Sequence, residues 1–534
     1  MASMANSTSL YDVKTFKQRR FGVFYTPEEI GRRLAILAVD NLPTERPLHV
    51  CDPFCGDGRL LAWFLEEVYD REGIDGEIKI HAWDIDGDSV TNAEQTLTDI
   101  LERTGLNCEL SCLKVDTFQY ALENLGTMHC VITNPPWEAI KPDYRELKTF
   151  DDDEKNDIIS ELKTFDSFLE NHYPVSQPSS KFAGWGTNLS RVGTELSVRL
   201  LRDSGSCSIV LPMSLVGDMT SGALRKWLFD TCSIHDVCDY PSEERLFSEA
   251  DQDAVTICID KGGEWTSIQF GEFHEGEYHA TEDVEISRRA LELIGDVIPV
   301  RLGSSPFRIL PLFQGLPTLD EWEESHCGPL WGGREVDETR IESKFISGTG
   351  MRFLRSRDME RYHLRKETHE LPTITSVDLP SVSHNRIIWR DIARPSMKRR
   401  VNATICPRGV ACGNSVGVFH FASDDEEILK GVLGVVNSLI FEYQFRALLL
   451  TNHITWGVLR KIRAPPLSQI LASEMSNLVS LRIEGKSEVE AKIEALAARL
   501  YGIDSNIMED ILDAFPKVTQ TEREAILNEL SGGD

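Results

Sequence analysis

The strongest constraint on the fold is a repeated alternation of short apolar segments with helix-like segments between residues 47 and 133. The apolar segments lie at residues 47–52, 78–84, 108–115 and 129–133, and helical patterns separate them. Strands that alternate with helices predict parallel pairing, with helices on both faces of the sheet. The first part of the chain is therefore predicted to be a Rossmann-like α/β domain.

The alternation stops at residues 141–180 and then resumes. This insert is polar, carries an acidic run at 151–154 and ends in a loop-like stretch. A helical pattern at 189–202 and strand patterns at 206–211 and 254–260 complete the α/β domain, which we place at residues 1–262. Turn-rich sequence at 263–466 predicts a second domain of mixed α and β structure. Residues 467–534 have helical spacing and predict a helical tail.

Carboxylates stand at the ends of the first three predicted strands, at Asp52, Asp84 and Asp116. Asp52 opens the segment Asp-Pro-Phe-Cys-Gly-Asp-Gly, where Gly56 and Gly58 let the backbone approach a ligand at a helix N-terminus. An acid that ends the second strand typically holds ribose hydroxyls. Three acidic strand ends without a G-x-G-x-x-G phosphate loop predict S-adenosylmethionine, which has a positive sulfonium and no phosphates. For Asp84 and Asp116 taken singly, helix capping is the competing interpretation.

The fourth strand pattern runs into Asn134-Pro-Pro-Trp137. The prolines fix the backbone and remove donors, so that carbonyl groups stay exposed at the strand end. The Asn134 amide and the Pro135 carbonyl can both accept from one planar amino group and favour a tetrahedral amine that attacks a methyl sulfonium. Trp137 offers a flat face for a base that has been pulled out of a duplex. In isolation the segment would indicate only a turn with a core tryptophan; after the three acidic strand ends, the catalytic interpretation is favoured.

The charge of the chain is unevenly distributed. The formal net charge is −30, which argues against a general nucleic-acid coat protein. Residues 331–408 nevertheless contain 16 Lys and Arg against 10 Asp and Glu. One basic region in an acidic chain is a hint of function. The competing interpretation is chance clustering of basic residues, with an acidic surface that serves solubility or salt adaptation.

Together these motifs resemble the amino-methylating DNA methyltransferases of the γ order, chiefly the N6-adenine-specific enzymes of restriction-modification systems. In that family the cofactor motif precedes an N-P-P-(Y/F/W) motif, and a target-recognition domain follows the catalytic one. The resemblance implies an S-adenosylmethionine-dependent methyltransferase sheet at residues 1–262, a target-recognition domain at 263–466 and a helical region at 467–534. It also covers the segment Gly22-Val-Phe-Tyr-Thr-Pro27, which matches the first motif of the family, beside the methionine part of the cofactor.

Residue by residue, the resemblance implies a cofactor site and a catalytic site. The cofactor site would comprise Tyr25, Thr26, Pro27, Asp52, Phe54, Gly56, Gly58, Asp84, Ile85 and Asp116. The catalytic and base-binding residues would be Asn134, Pro135, Pro136, Trp137 and Phe247. The charge pattern predicts that the densest part of the basic segment contacts DNA through Arg386, Arg390, Arg394, Lys398, Arg399, Arg400 and Arg408. The competing interpretation is a solvated strand and turn, or ion pairs with the acidic catalytic domain. The implied partner is double-stranded DNA, and the implied activity is methylation of adenine N6 after base flipping at a specific site.

Several alternatives stay open at the level of sequence. An RNA methyltransferase acting on guanine N2 or adenine N6 can use the same motifs, and N4-cytosine methylation needs the same geometry. A catalytically silent DNA-binding subunit is a different class of protein. The sequence does not say whether a separate restriction endonuclease accompanies the chain, and the acidic insert could be a lid, a partner surface or a guard against non-specific DNA.

Other sequence features bound the setting of the protein. No apolar run approaches the ~18 residues of a membrane span, and the N-terminus lacks the pattern of a secretory signal. Twelve cysteines without histidines at zinc-finger spacing predict reduced thiols and no metal site. We therefore expect a cytoplasmic enzyme without membrane contact.

Overall fold

The computed structural model describes residues 25–71, 76–143, 147–178, 181, 184–247, 252–324, 331–338, 345–346, 350–375, 378–450 and 452–532. Gly22, Val23 and Phe24 of the first motif lie outside the described residues. The chain forms two compact units, Met1–Gly303 and Ser304–Asp534. None of the described helices is both long and apolar enough to cross a membrane.

The first unit is built on a nine-stranded sheet. Its strands are β1 (Leu48–Asp52), β2 (Ile78–Asp84), β3 (Cys108–Lys114), β4 (Met128–Thr133), β5 (Leu201–Pro212), β6 (Cys232–Tyr240), β7 (Ala254–Lys261), β8 (Ser267–His274) and β9 (Glu277–Glu285). Their order across the sheet is β3-β2-β1-β4-β5-β7-β6-β8-β9. The first five strands run parallel, whereas β7 runs antiparallel to both of its neighbours. The predicted Rossmann-like sheet is confirmed.

Helices connect these strands. They are α1 (Glu28–Asp40), α2 (Arg59–Asp70), α3 (Gly87–Thr104), α4 (Thr117–Tyr120), α5 (Asp152–His172), α6 (Leu189–Leu200), α7 (Gly222–Thr231) and α8 (Arg288–Leu293). One core cluster joins the helices to the sheet through fully buried side chains such as Leu34, Phe64 and Leu97 against Val50 and Ile80. Each such side chain contributes roughly 1.5–3 kcal/mol, so burial holds the carboxyl ends of β1, β2 and β4 in place.

The sheet continues beyond the predicted domain boundary at residue 262. Strand β8 pairs in parallel with β6, and β9 pairs with β8. The two compact units meet in sequence at residues 303 and 304 instead. Strand β9 was not predicted because nearly all of its residues are exposed, and an exposed strand lacks the apolar alternation that identifies strands in a sequence.

The acidic insert contains the 21-residue helix α5. Asp151 caps it and forms a capping box with Glu154, which satisfies free N–H groups of the first turn. Its buried side chains include Ile158, Leu162 and Leu169, which follow helical spacing. The acidic residues at its start therefore cap and begin a packed helix, where the sequence suggested only a polar interruption.

The second unit combines small sheets with many helices. Its strands are β10 (Trp331–Gly333), β11 (Phe345–Ile346), β12 (Met351–Leu354), β13 (Met359–Glu360), β14 (His363–Leu364), β15 (Thr373–Ile374), β16 (Arg386–Arg390), β17 (Ala403–Cys406), β18 (Val410–Cys412) and β19 (Val416–His420). Its helices are α9 (Ser305–Ile309), α10 (Glu426–Val436), α11 (Leu439–Leu448), α12 (Trp456–Leu459), α13 (Leu467–Ala472), α14 (Met475–Ile483), α15 (Glu490–Tyr501), α16 (Ser505–Asp513) and α17 (Gln520–Ser531). The helices after residue 467 belong to the same compact unit as the sheets.

Candidate functional site

Hydrogen bonds join the carboxyl ends of β1 and β4. The Asp52 side chain is fully buried, and its Oδ1 accepts from Phe54 N at 3.0 Å and from Thr133 Oγ1 at 2.7 Å. Burial raises the pKa of Asp52 to about 7, although these two hydrogen bonds oppose the shift. Asp52 therefore holds the loop after β1 from behind and does not present its carboxylate at the surface.

The two glycines of this loop have left-handed backbones, with φ of +50° at Gly56 and +81° at Gly58, a region that favours glycine. A Cβ on Gly58 would lie 2.9 Å from Ala93 Cα, so the start of α2 packs closely on α3. Among the described residues, a Cβ on Gly56 would meet only the ring of Tyr25, at 4.0 Å. The described part of the chain thus leaves the backbone of Gly56 uncovered apart from Tyr25.

Asp84 binds this loop from β2. Its Oδ2 accepts from Gly56 N at 2.9 Å, and its Oδ1 accepts from Asp86 N at 2.9 Å. Burial raises the pKa of Asp84, against the effect of these hydrogen bonds. The helix-capping interpretation does not hold for Asp84, because Asp86 is the residue that caps α3. Ile85 lies between them, half-buried.

Asp116 follows β3 and does cap a helix. It accepts from Phe118 N at 3.1 Å and from Gln119 Nε2 at 3.2 Å, and burial raises its pKa to about 6. The Phe118 ring also packs on Phe54 of the first loop, with 5.4 Å between centroids. The third acidic strand end is therefore tied to the same edge of the sheet.

The first motif meets the Asn-Pro-Pro-Trp segment directly. Asn134 Nδ2 donates to Thr26 Oγ1 at 3.2 Å, and Thr26 is buried. Tyr25 is 42% exposed, and the Arg59 guanidinium lies 4.2 Å from the centroid of its ring. Pro27 precedes the first residue of α1. Segments that are more than a hundred residues apart in sequence are thus in contact at the site.

A glycine that the sequence did not single out allows this arrangement. Gly193 lies in α6, and a Cβ at that position would be 2.4 Å from Pro135 Cβ and 3.3 Å from the ring of Phe54. Helix α6 can therefore pack against Pro135 only because residue 193 has no side chain. A glycine inside a predicted helix was the available signal.

Trp137 and Phe247 are brought together as predicted, but they do not face each other across a gap. Their ring centroids are 5.2 Å apart and their planes are inclined by 55°. A base sandwiched between two rings needs roughly 7 Å, two stacking distances. Trp137 and Pro136 are half-buried, and Phe247 is buried. The two rings form one continuous aromatic wall.

The predicted DNA-binding arginines do not form one exposed surface. Arg386 and Arg400 are buried, and the Arg399 side chain is only 10% exposed. Arg386 lies 3.3 Å from Glu335, and Lys398 lies 2.7 Å from Glu522. For Arg386, Arg399 and Arg400 the DNA-contact prediction is therefore wrong. Arg390 is half-buried, and Arg394, Lys398 and Arg408 are exposed.

Arg399 stands at the centre of a buried ionic network. It binds Glu442 at 3.1 Å and Glu494 at 3.0 Å, and Glu442 also accepts from Arg446 at 2.9 Å and from Arg400 N at 2.8 Å. Burial opposes ionisation of Glu442, but these partners outweigh it and lower its pKa. Burial dominates at Glu494, whose pKa is raised. Arg399 thus serves the interior of the second unit.

A comparison with family models supports the predicted methyltransferase family of the first unit. The model of the N-6 DNA Methylase family matches residues 10–299, more than half of the 534 residues. No curated protein matches the chain.

Two solved restriction-modification enzymes, LlaGI and LlaBIII, share the fold at low sequence identity. A nuclease-deletion mutant of the Type ISP restriction-modification enzyme LlaGI, in complex with a DNA substrate mimic, has a TM-score of 0.53 at 11% identity over 86% of this chain and 47% of that one. The ATP-dependent Type ISP enzyme LlaBIII bound to DNA has a TM-score of 0.51 at 11% identity, over 86% and 40%. The type IIG restriction endonuclease BpuSI has a TM-score of 0.42 at 16% identity, over 95% and 66%. The chain therefore spans less than two thirds of each of these proteins.

Proposed function

The chain belongs to the N-6 DNA methylase family, and on that premise we propose that it transfers a methyl group from S-adenosylmethionine to the N6 amine of adenine in a specific duplex DNA sequence. We infer that it is the modification enzyme of a restriction-modification or phage-defence system. The observation that carries this proposal is the meeting, at one edge of the sheet, of three acidic strand ends with the Asn-Pro-Pro-Trp segment.

The residues at the strand ends fit S-adenosylmethionine. Among the described residues, only the Tyr25 ring approaches the backbone of Gly56, which supports a ligand site beside Tyr25. Asp84 and Asp116 have raised pKa values because they are buried, and such desolvated carboxylates favour a cationic ligand with hydroxyl and amino donors over a phosphate. We assign the ribose hydroxyls to Asp84, the adenine to Ile85, Phe54 and Asp116, and the positioning of the loop to Asp52.

The proposed chemistry needs positioning more than a strong base. When bound, the cofactor supplies a methyl group on a positive sulfonium. Thr26 accepts one amide hydrogen of Asn134, which fixes the plane of that amide. The Asn134 oxygen and the Pro135 carbonyl would accept the two hydrogens of the target amine and hold its lone pair toward the methyl group. Preformed acceptors of this kind lower the barrier because they need no reorganisation.

Recognition of the base and of DNA follows from the remaining residues. We propose that the flipped base stacks on the aromatic wall of Trp137 and Phe247, on one face only. Of the predicted DNA contacts, the exposed Arg394, Lys398 and Arg408 and the half-buried Arg390 stay candidates for phosphate contacts. LlaGI and LlaBIII, which share the fold, were both solved with DNA or a DNA mimic, and this supports duplex DNA as the partner.

The test is methylation by the full chain of unmodified genomic DNA with S-adenosylmethionine, followed by single-molecule sequencing to map the modified bases. We expect N6-methyladenine at one recurring sequence. Asn134→Ala should lower turnover by about 10²–10³-fold, the loss typical of one preorganised hydrogen-bonding group. Its affinity for the cofactor should stay close to that of the wild type.

Asn92 provides the matched control, because it is exposed on α3 and Asn92→Ala should methylate at the wild-type rate. Methylated cytosine N4 instead of adenine would correct the target base. Absence of DNA methylation by the wild type, with methylation of RNA, would overturn the proposal.

A further inference from the structure

A cavity of about 190 Å³ lies in the first unit beside the Asn-Pro-Pro-Trp segment. It is lined by Ala139, two positions after Trp137, and by the starts of two helices, α6 and α7. Backbone hydrogen bonds fix the first of these helix starts to the motif: Leu189 N donates to Glu138 O at 2.7 Å, and Ile140 N donates to Thr187 O at 2.9 Å. The cavity is thus built into the same rigid segment as the proposed catalytic residues.

Arg191 lines this cavity with a buried guanidinium, and the residue is only 5% exposed. Its NH2 group donates to the carbonyl of Gly186, while its buried Nε has no hydrogen-bond partner among the described residues. No Asp or Glu side chain among the described residues lies within ion-pair distance of the Arg191 guanidinium. Burial lowers the pKa of Arg191, and Asp218 only partly opposes this shift. A buried cation is unfavourable unless it is paired. Because Arg191 has no ion-pair partner among the described residues, the cavity favours an anion.

The two helix starts add to the positive potential. Helix α6 has 12 residues and α7 has 10, and the N-terminus of a helix attracts negative charge. The Asn188 side chain already accepts from Ser190 N at 2.9 Å, and Ser221 precedes α7 without a side-chain cap of its own. Arg191 therefore reinforces helix ends that face the same space.

One carboxylate, Asp218, also lines the cavity. Its Oδ1 accepts from Ser221 N at 2.7 Å and lies 3.7 Å from Arg225 NH1, and its Oδ2 accepts from Thr220 Oγ1 at 2.7 Å. These partners hold Asp218 at the start of α7. Its negative charge must weaken the binding of any anion in the cavity. Removal of this charge should therefore strengthen anion binding, whereas removal of the Arg191 charge should weaken it.

We propose that this cavity binds a phosphodiester group of the target DNA strand, next to the nucleotide that is methylated. This inference rests on the proposed function, because extrusion of a base carries its backbone toward the pocket that receives the base. A guanidinium and helix N-termini are typical ligands of phosphate oxygens. The contact would fix the extruded strand relative to Asn134 and Trp137.

The first experiment needs no methyl transfer. Thermal unfolding of the full chain is followed in inorganic phosphate and in chloride of equal ionic strength. Phosphate should raise the melting temperature of the wild type by about 2 °C when it is present well above its Kd. Arg191→Gln should lose that rise, Arg191→Lys should keep part of it, and Asp218→Asn should increase it.

Arg289→Gln is the matched control, since that side chain is 74% exposed and pairs only with Glu292 among the described residues; its phosphate response should equal that of the wild type. An equal phosphate response in Arg191→Gln and the wild type would overturn the proposal. So would a lower affinity of both Arg191 variants for S-adenosylmethionine, because the anion would then be the carboxylate of the cofactor.

The second experiment uses a duplex with the mapped target, in which neutral methylphosphonates replace the phosphates one at a time. One position should raise the KM of the wild type by about tenfold, the loss of a charge-assisted contact, and the same replacement should not affect Arg191→Gln further. Additive losses at every position would reject the DNA contact. Failure of the wild type to methylate any DNA would reject the proposed function, and the phosphate melting experiment would still decide whether the cavity binds an anion.

Discussion

The strand-end site of the first unit and the arginine-rich segment of the second unit, residues 386–408, were both predicted from the sequence, with different outcomes. At the strand ends, the structure brings Asp84, the glycine loop and Asn134 together. In the arginine-rich segment, Arg386, Arg399 and Arg400 turn into the interior. An ordered motif thus predicted a location correctly, whereas the density of charge did not predict exposure.

The two regions differ in what their own sequence determines. At the strand ends each segment forms locally, and the parallel order of β2, β1 and β4 then brings the segments to the same edge of the sheet. A strand, a turn with left-handed glycines and a helix start are determined by residues within a few positions of one another. The carboxylates that pair with the buried Arg399 are those of Glu442 and Glu494, which are 43 and 95 residues away along the chain. A count of charges within a window cannot include them. A charged residue type is usually exposed, but a paired arginine can be fully buried.

The largest expected effect tests whether Arg399 stabilises the interior of the second unit. Arg399→Ala should lower the free energy of unfolding of the second unit by about 3–5 kcal/mol, because it leaves Glu442 and Glu494 as buried charges without their shared partner. Hydrogen exchange measured by mass spectrometry, on peptides that contain these two glutamates, reports that unit separately from the first.

Two further variants sharpen this result. Arg399→Ala combined with Glu494→Gln should recover part of the lost stability, because one uncompensated charge has been removed. Arg408→Ala, at an exposed position of the same segment, should change stability by less than about 0.5 kcal/mol. If Arg399→Ala keeps the wild-type protection from hydrogen exchange and binds DNA more weakly, Arg399 is a DNA contact and its burial in the second unit is contradicted.

Strands β1 to β5 and β7 could be predicted from the sequence, because short apolar or β-branched segments mark them. Strands β6 and β8 were not predicted, although β6 is almost wholly buried. The edge strand β9 could not be predicted, since it has almost no buried side chains. At the site, the carboxylates and the Asn-Pro-Pro-Trp segment followed from order and spacing. Gly193 and Arg191 did not, because their importance depends on what packs against α6.

The next effect tests the strand-end half of the comparison. Asp84→Ala should weaken S-adenosylmethionine binding by about 1.5–3 kcal/mol, the range for hydrogen bonds to a charged group. Because burial raises the pKa of Asp84, the carboxylate becomes protonated at a higher pH than an exposed aspartate, and cofactor affinity should fall from that higher pH as the solution is acidified. Isothermal titration calorimetry at several pH values measures both effects.

The control for Asp84 lies four residues away. Asp88 is exposed in the first turn of α3, and Asp88→Ala should bind the cofactor as the wild type does. Asp84→Asn keeps an oxygen for Gly56 N but loses the charge, so it separates the support of the loop from the binding of the ribose. Unchanged affinity in Asp84→Ala would move the ribose site elsewhere.

The smallest expected effect concerns the arginine that stays outside in the second unit. Arg408 is exposed just after β17, and only its backbone N is hydrogen-bonded among the described residues, to Asn385 Oδ1 at 3.1 Å. A cation that is not used by the fold is available for a phosphate, and the loss of one phosphate contact should flatten the log-log salt dependence of DNA binding by about 0.9. Fluorescence anisotropy with duplex DNA over a range of salt concentrations would measure this slope for Arg408→Ala.

Lys492→Ala, at an exposed position of α15, should keep the wild-type slope. If both variants change the slope equally, the effect is one of net charge and Arg408 is not a specific contact. If neither variant changes the slope, the arginine-rich segment contributes to DNA binding at most through Arg390, Arg394 and Lys398, and the exposure of Arg408 has no role in DNA binding.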